Sequence, residues 1–277
     1  MLPITFPRPY TIFLYLGLYL LSLIPGRIQA QEDDRSIFVM VACWETKSQD
    51  ASGVIQDMMQ PFFNGMVARE IVLDWQLYST HFTAEDCRCD LREVIVLDDP
   101  TAIDYFTDSR KMFSIAMEVF PDADPEAMGA RFDNSLEFVY SEVYALHGAL
   151  APGGGEVGQL LTVNYMQVAP EDGEAYVANE LEVWAPLHQA RKEAGKLQNW
   201  AVLERVLPHG TGYPSNFMTV DVWGTMENMV NFDPGSIFEE VHPGKDPEAL
   251  AAQTEELREL YRSEMWRLLY SAEVPGR

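Results

Sequence analysis

Apolar and polar positions along this chain follow two periods, and the order in which the periods alternate predicts the elements. Residues 37–45 (IFVMVACWE) are dense in β-branched and aromatic side chains and read as a strand. Residues 51–68 carry apolar side chains at helical spacing, and strands follow at 72–79 and 91–97. After a further helical region, Asp124–Pro125–Glu126–Ala127 opens a helix with proline in its first turn. Residues 142–147 then suit a closing strand.

The series begins again at residue 160. A strand at 160–168 precedes a helix at 174–193, whose apolar face is Tyr176, Val177, Leu181, Val183, Trp184 and Leu187. Strands at 200–206 and 218–223 follow, then a helix opened by Asp246–Pro247–Glu248–Ala249 and a strand at 264–270. Pro61 and Pro186 lie inside the first helix of each series and are expected to bend or break it one turn before its end. The two series run in step. Pro61 precedes Trp75 as Pro186 precedes Trp200, and Ser141–Glu142–Val143–Tyr144 corresponds to Ser263–Glu264–Met265–Trp266. Units this long are domain-sized copies rather than the short repeats of a solenoid.

The predicted organisation is a unit at 36–150, a linker at 151–158 containing Gly153–Gly154–Gly155, and a second unit at 159–273. The order β-α-β-β-α-β is the split βαβ of the ferredoxin-like fold, so the fold class is α+β.

Composition narrows the partners. The 277 residues carry a net charge of −24, with 43 acidic against 19 basic side chains. Such a surface repels phosphate backbones and anionic lipid, which disfavours nucleic acid and peripheral membrane binding. Nearly half the residues are apolar, so the acidity belongs to a folded surface and not to a disordered tail. Residues 1–30 have the shape of a secretory signal peptide: Arg8, an apolar run at 10–24, then Pro25, Gly26 and a cleavage site after Ala30. The run is shorter than the ~20 residues that span a bilayer. The expected product is an exported protein, periplasmic or secreted, with no membrane anchor after cleavage.

The cysteines are Cys43, Cys87 and Cys89. In the split βαβ, strand three lies antiparallel beside strand one, which brings Cys87 and Cys89 towards Cys43. The expected disulfide is Cys43–Cys89, with Cys43–Cys87 as the alternative. Cys-x-Cys alone does not supply the four ligands of a structural metal site, so no metal is expected.

Tyr165, the segment Trp184–Ala185–Pro186–Leu187–His188, Gly195, Trp200, the turn Pro208–His209–Gly210 and the strand 218–223 resemble exported members of the dimeric α/β-barrel superfamily. Relatives by fold include NIPSNAP-like, antibiotic-biosynthesis monooxygenase-like, EthD-like and chlorite-dismutase-like proteins. The resemblance implies two fused ferredoxin-like repeats packed sheet to sheet as a barrel within one chain, existing as a monomer or a homodimer. It spans enzymes and proteins of no established reaction, so the fold does not choose among them.

In such a barrel the sheet surface away from the helices lines a cavity. Val220 and Val222 suit the helix side, which turns Thr219, Asp221 and Trp223 inward; the same parity turns Glu93, Ile95 and Leu97 inward in the first unit. A carboxylate inside a barrel is costly unless paired or useful, which makes Asp221 and Glu93 the sharpest candidates. Asp221 is the candidate base, with His188 beside it; a hydrogen bond to a neighbouring Tyr or backbone group at the barrel rim is the plainer account of Asp221. His188 and Arg191 share one helical face where the first unit has Phe63 and Met66. A surface ion pair or helix cap is the plainer account of that pair. Tyr165, Trp200, Trp223, Thr219, Arg191, His209 and Glu93 are the candidate ligand contacts.

The expected function is binding of a small apolar or aromatic molecule in the cavity of the second repeat, without a cofactor. The alternatives are a cofactor-independent monooxygenase or isomerase using the carboxylate as base, a haem-binding barrel with His188 or His209 as axial ligand, and a non-catalytic interaction protein. The nucleophile-elbow, zinc-protease, phosphate-loop and dinucleotide motifs do not occur.

Overall fold

Strand β1 (Phe38–Thr46) leads through a helix, α1, into the antiparallel pair β2 (Asp74–His81) and β3 (Leu91–Leu97). The computed structural model describes residues 36–83, 88–151, 155–210, 212–231 and 234–272. The signal peptide, Cys87 and Gly153–Gly154 therefore lie outside the described residues. After β3 come α2 (Asp104–Thr107), α3 (Ser109–Val119), α4 (Pro125–Ser135) and the long strand β4 (Leu136–Ala149). The second half repeats this order with β5 (Leu160–Val168), helix α5, β6 (Asn199–Leu207) and β7 (Phe217–Val222). It ends with α6 (Met226–Val230), α7 (Pro234–Val241), α8 (Pro247–Leu257) and β8 (Arg258–Ser271).

Local chemistry sets the element ends. Asp124 accepts from the backbone N–H of Glu126 at 3.0 Å, and Asp246 from that of Glu248 at 2.9 Å, so both Asp-Pro-Glu-Ala motifs start helices as the sequence predicts. Gly195 ends α5 at φ 68°, and Glu70 holds the corresponding place after α1 at φ 56°. A left-handed residue with a Cβ costs roughly 1–2 kcal/mol, which glycine avoids.

The prolines do not break their helices. Helix α1 runs Ala51–Val54, a π-helical turn Ile55–Met59, then Gln60–Ala68; α5 runs Gly173–Asn179, a π-helical turn Glu180–Trp184, then Ala185–Glu193. A proline in an α-helix clashes with the carbonyl four residues back. The wider turn immediately before Pro61 and Pro186 accommodates the ring, so each helix continues through it.

The eight strands close into one antiparallel barrel in the order β1-β3-β2-β8-β5-β7-β6-β4. The expected sheet-to-sheet packing is thus refined: the sheets are also joined edge to edge by hydrogen-bonded β2–β8 and β4–β6 seams. Among the described residues closure leaves no strand edge unpaired. Strands β4 and β8 are much longer than predicted, because they take over directly from α4 and α8 without a loop.

The lumen is filled rather than hollow. Val39, Val41, Tyr78, Tyr144, Leu161, Val163, Tyr165, Leu203, Met218, Trp266 and Leu268 pack there, with Val94, Val220 and Val222 against them. At one end Arg92 meets both oxygens of Glu264 at 3.2 Å and donates to the Tyr140 hydroxyl at 2.7 Å. Glu264 also takes Trp266 Nε1 at 2.9 Å, and Arg262 at 3.3 Å. Arg205 bonds Glu142 at 2.9 Å. The Arg92–Glu264 and Arg205–Glu142 pairs tie one half to the other. Cys43 and Cys89 form the expected disulfide at this end, with Cα atoms 5.2 Å apart.

Because the lumen takes Val94, Val220 and Val222, the predicted parity is inverted. Thr219, Asp221 and Trp223, like Glu93, Ile95 and Leu97, face the layer between sheet and helices. Both faces of these strands are covered, one by the lumen and one by helices, so alternation alone does not say which face is which.

Candidate functional site

The layer between the second half's sheet and helices has an apolar framework of Met166, Val168, Tyr176, Trp200, Val202, Phe217 and Trp223. Within it lies a polar group drawn from three elements. Strand β7 supplies Asp221, strand β5 supplies Thr162 and Asn164, and α5 supplies His188 and Arg191. Asp221 accepts from Asn164 Nδ2 at 3.0 Å and Thr162 Oγ1 at 3.4 Å. Thr162 also accepts from Trp223 Nε1 at 2.9 Å, and Asn164 Nδ2 reaches Thr219 Oγ1 at 3.4 Å.

His188 lies flat on Trp200, ring centres 5.1 Å apart and 14° from parallel. Its Nδ1 is 3.6 Å from Asp221 Oδ1 and 3.2 Å from Arg191 Nη1. The guanidinium is a donor only, so Nδ1 accepts and the imidazole is the neutral tautomer protonated on Nε2. Burial, reinforced by Arg191, pushes the His188 pKa down to about 3, so the 3.6 Å approach to Asp221 is not an ion pair at neutral pH.

Burial raises the Asp221 pKa to about 6, against the opposing pull of Arg191, Asn164 and Thr162. Glu180, in the π-helical turn, is raised to about 7, again chiefly by burial. The Arg191 pKa falls to about 10 through burial, with Asp221 opposing. The arrangement is a desolvated carboxylate that is mostly ionised at neutral pH, flanked by a cation, a neutral imidazole and two indoles. That set can accept a proton from, or hold, a planar molecule bearing an acidic hydrogen.

The first half has the same geometry with apolar side chains. Phe63 lies on Trp75 at 5.0 Å and 8°, as His188 lies on Trp200. Trp75 pairs with Ile95 across β2 and β3, and Trp200 with Asp221 across β6 and β7. By the same correspondence Val54, Ile55, Phe63, Met66 and Ile95 stand where Asn179, Glu180, His188, Arg191 and Asp221 do. All ten side chains belong to buried residues, at most 9 % exposed.

No protein-family model matches the sequence, and no functionally curated protein matches it either. Solved structures do. A protein from Fusobacterium nucleatum subsp. nucleatum, provisionally named a monooxygenase, is 10% identical over 87% of this chain and 96% of its own, with TM-score 0.57. A protein of the same provisional name from Lactobacillus acidophilus NCFM is 12% identical over 87% of this chain and 97% of its own, TM-score 0.49. One provisionally named a chlorite dismutase is 9% identical over 85% and 96%, TM-score 0.47.

This chain shares the fold of the Fusobacterium protein. At such identities the likeness concerns fold and not chemistry.

Of the predicted residues, the barrel brings together Asp221, His188, Arg191, Trp200, Trp223 and Thr219, in the sheet–helix layer rather than the lumen. Tyr165 is in the lumen, on the opposite face of the sheet, where its hydroxyl donates to Glu264 at 3.3 Å. His209 is exposed in the loop after β6 and takes no part. Glu93 belongs to the first half, bonded by two indoles. Thr162, Asn164 and Glu180 were missed, although Thr162 and Asn164 alternate with apolar Leu161, Val163 and Tyr165 in the sequence. Among the described residues no group of three or more His, Cys, Asp or Glu is placed to hold a metal ion.

Proposed function

We propose that this chain binds one small, largely apolar or aromatic molecule between the sheet and helices of its second half. Asp221, His188 and Arg191 are its polar contacts, and Trp200 and Trp223 its flat faces. One observation carries the reading. Five buried positions that are apolar in the first half are polar in the second, around the same stacked ring pair. The first half closes the same architecture with apolar side chains at these five places, and replacing buried charged groups by well-packed apolar ones is commonly neutral or stabilising. Stability therefore does not account for the polar set; a bound molecule does.

Helices α6 and α7 belong to this half, and α7 packs on the last segment of α5. Their polar anchors include the Asn228 side chain on the Trp223 carbonyl at 3.2 Å and His242 on the Val183 carbonyl at 2.9 Å.

A second reading, a cofactor-independent enzyme with Asp221 as base, is favoured by the Asp221 pKa of about 6, suited to accepting a proton near neutrality. Haem fits poorly. His188 is 7% exposed, with Trp200 on one face and Arg191 at Nδ1, which leaves no open slot for a macrocycle. A Soret band that appears on haem addition and is lost in His188→Ala would reverse that judgement.

The export signal at residues 1–30 supports a periplasmic or secreted location; secreted protein should begin at Gln31. Matching strand order and register support descent of the two halves from one duplicated unit, with the monomer as the smallest complete barrel.

Calorimetric titration with 1-naphthol, against naphthalene as the partner lacking an acidic hydrogen, tests the site. Wild type should prefer naphthol and Asp221→Asn should lose that preference. Equal preference in both proteins would remove Asp221 from the site.

A further inference from the structure

We propose that a cleft on the first half, between α3 and the end of α1, binds a free acidic amino acid of about the length of glutamate. This inference does not depend on the second-half reading.

The cleft has a volume of about 300 Å³. Its walls are Arg69 and Ile71 just beyond α1, Tyr105 on α2, and one face of α3. That face is Lys111, Ser114, Ile115 and Glu118, at the i, i+3, i+4, i+7 spacing that puts side chains on a single helical stripe. A helix facing a core makes such a stripe apolar. Here Ile115 alone is apolar, and it is the buried floor of the cleft.

The charges on α3 run against its dipole. Arg110 and Lys111 occupy the first turn, where a cation is disfavoured, and Glu118 the last, where an anion is. Helix stability therefore accounts for neither Lys111 nor Glu118, and both line the cleft. The turn that carries Arg69 and Ile71 is strained as well. Glu70, between them, is left-handed at φ 56°, a conformation disfavoured for a residue with a Cβ. Strain of this kind clusters at ligand sites. The corresponding turn of the second half has Gly195 flanked by Ala194 and Lys196, so that half has neither the guanidinium nor the isoleucine.

Hydrogen-bonding capacity is left over in the cleft. Arg69 gives Nε and Nη2 to Glu118 Oε2 at 3.2 and 3.1 Å and Nη1 to the Gly65 carbonyl at 2.8 Å, which leaves an N–H on each Nη atom. Glu118 Oε1 accepts no hydrogen bond among the described residues. Lys111 donates to Asp104 at 3.2 Å and keeps further N–H groups to offer. Both pairs are solvent-exposed, and exposed pairs contribute little to stability, so these groups turn to a ligand readily.

The set defines the ligand. Arg69 takes an α-carboxylate, Glu118 Oε1 an α-ammonium, and Lys111, over the Tyr105 ring at 5.3 Å, a second carboxylate. Two cations and one carboxylate on the wall thus meet two carboxylates and one ammonium. In a chain of net charge −24, such a wall makes a local positive potential that favours a ligand of net negative charge. From Lys111 to Glu118 the helix rises about 10.5 Å. With a hydrogen bond of about 2.9 Å at each end, the charged ends of the ligand stand about 5 Å apart, the reach of a glutamate side chain. Ile71 and Ile115 face its methylenes. The volume is at the small end of ligand pockets, which suits a single amino acid.

The test is calorimetric titration at pH 7 with L-glutamate, with L-norvaline, which lacks the side-chain carboxylate, and with glutarate, which lacks the ammonium. Wild type should bind glutamate at least tenfold more tightly than either. Lys111→Met should erase the preference over norvaline and keep norvaline affinity within twofold. Glu118→Gln should erase the preference over glutarate and keep glutarate affinity within twofold. The retained ligand reports that each variant is folded. Asp221→Asn should leave glutamate affinity within twofold, which separates this site from the one in the second half. The proposal is overturned if wild type takes up no glutamate at millimolar concentration or binds norvaline or glutarate as tightly. It is equally overturned if either cleft variant keeps its preference, or if Asp221→Asn abolishes glutamate binding.

Discussion

Replacing Asp221 by asparagine removes one charge from the centre of the second-half site and keeps the shape, so its effect on stability isolates the electrostatics. The Asp221 pKa is raised from 3.8 to about 6 in the folded protein. A carboxylate raised on folding binds its proton more tightly when folded, so its stabilising contribution is present below the unfolded value and is lost as pH climbs through the folded one. A shift of this size is worth about 3 kcal/mol, and about 2–3 kcal/mol of it falls between pH 4 and pH 8. Asparagine does not ionise and escapes the loss. Urea unfolding of both proteins at pH 4 and pH 8 should show the variant gaining that amount on wild type between the two conditions. His188 works in the opposite sense: its pKa of about 3 means that stability falls as pH drops below the ordinary 6.5, but this is common to both proteins and cancels. A variant whose stability difference from wild type is the same at both pH values would refute the argument that Asp221 is a desolvated, strained carboxylate.

Two further outcomes follow from the lumen. Glu264→Gln leaves Arg92 buried against a neutral partner and should cost about 3–5 kcal/mol, whereas the double change Arg92→Met with Glu264→Leu should cost clearly less; urea midpoints of the three proteins check this. Reduction of Cys43–Cys89, which spans a sequence separation of 46, should lower unfolding stability by about 4 kcal/mol, read as the shift in urea midpoint with and without dithiothreitol.

Much of the fold was legible because single residues dictated it. Asp124 and Asp246 sit before Pro-Glu-Ala and cap helices, and the split βαβ order placed Cys43 against Cys89. The orientation of the strands was not legible. Met218 to Trp223 alternates cleanly, yet valines suit a packed lumen as well as a helix face, and the polar alternates proved to be the helix-side residues. The π-helical turns were also hidden, since a proline that breaks a helix and one that a wider turn absorbs have the same local sequence. The site itself was half visible: Phe63 against His188 and Met66 against Arg191 stood out when the two units were aligned. Asp221 stood out as a carboxylate on a buried strand, and extending that comparison to Ile55 against Glu180 would have found the second one. Asn164 and Thr162 gave no signal beyond alternation, because their role depends on β5 lying beside β7.

The central claim is that the polar side chains of the second half serve a bound molecule rather than the fold. A triple variant, His188→Phe with Arg191→Met and Asp221→Ile, gives the second half the side chains with which the first half packs the same place. Titration of this variant and wild type with 1-naphthol, alongside their urea midpoints at pH 8, tests the claim directly. The account predicts a variant at least as stable as wild type that has lost naphthol binding by tenfold or more. A variant that unfolds more readily yet binds naphthol as before would show that these residues serve the packing and not a ligand.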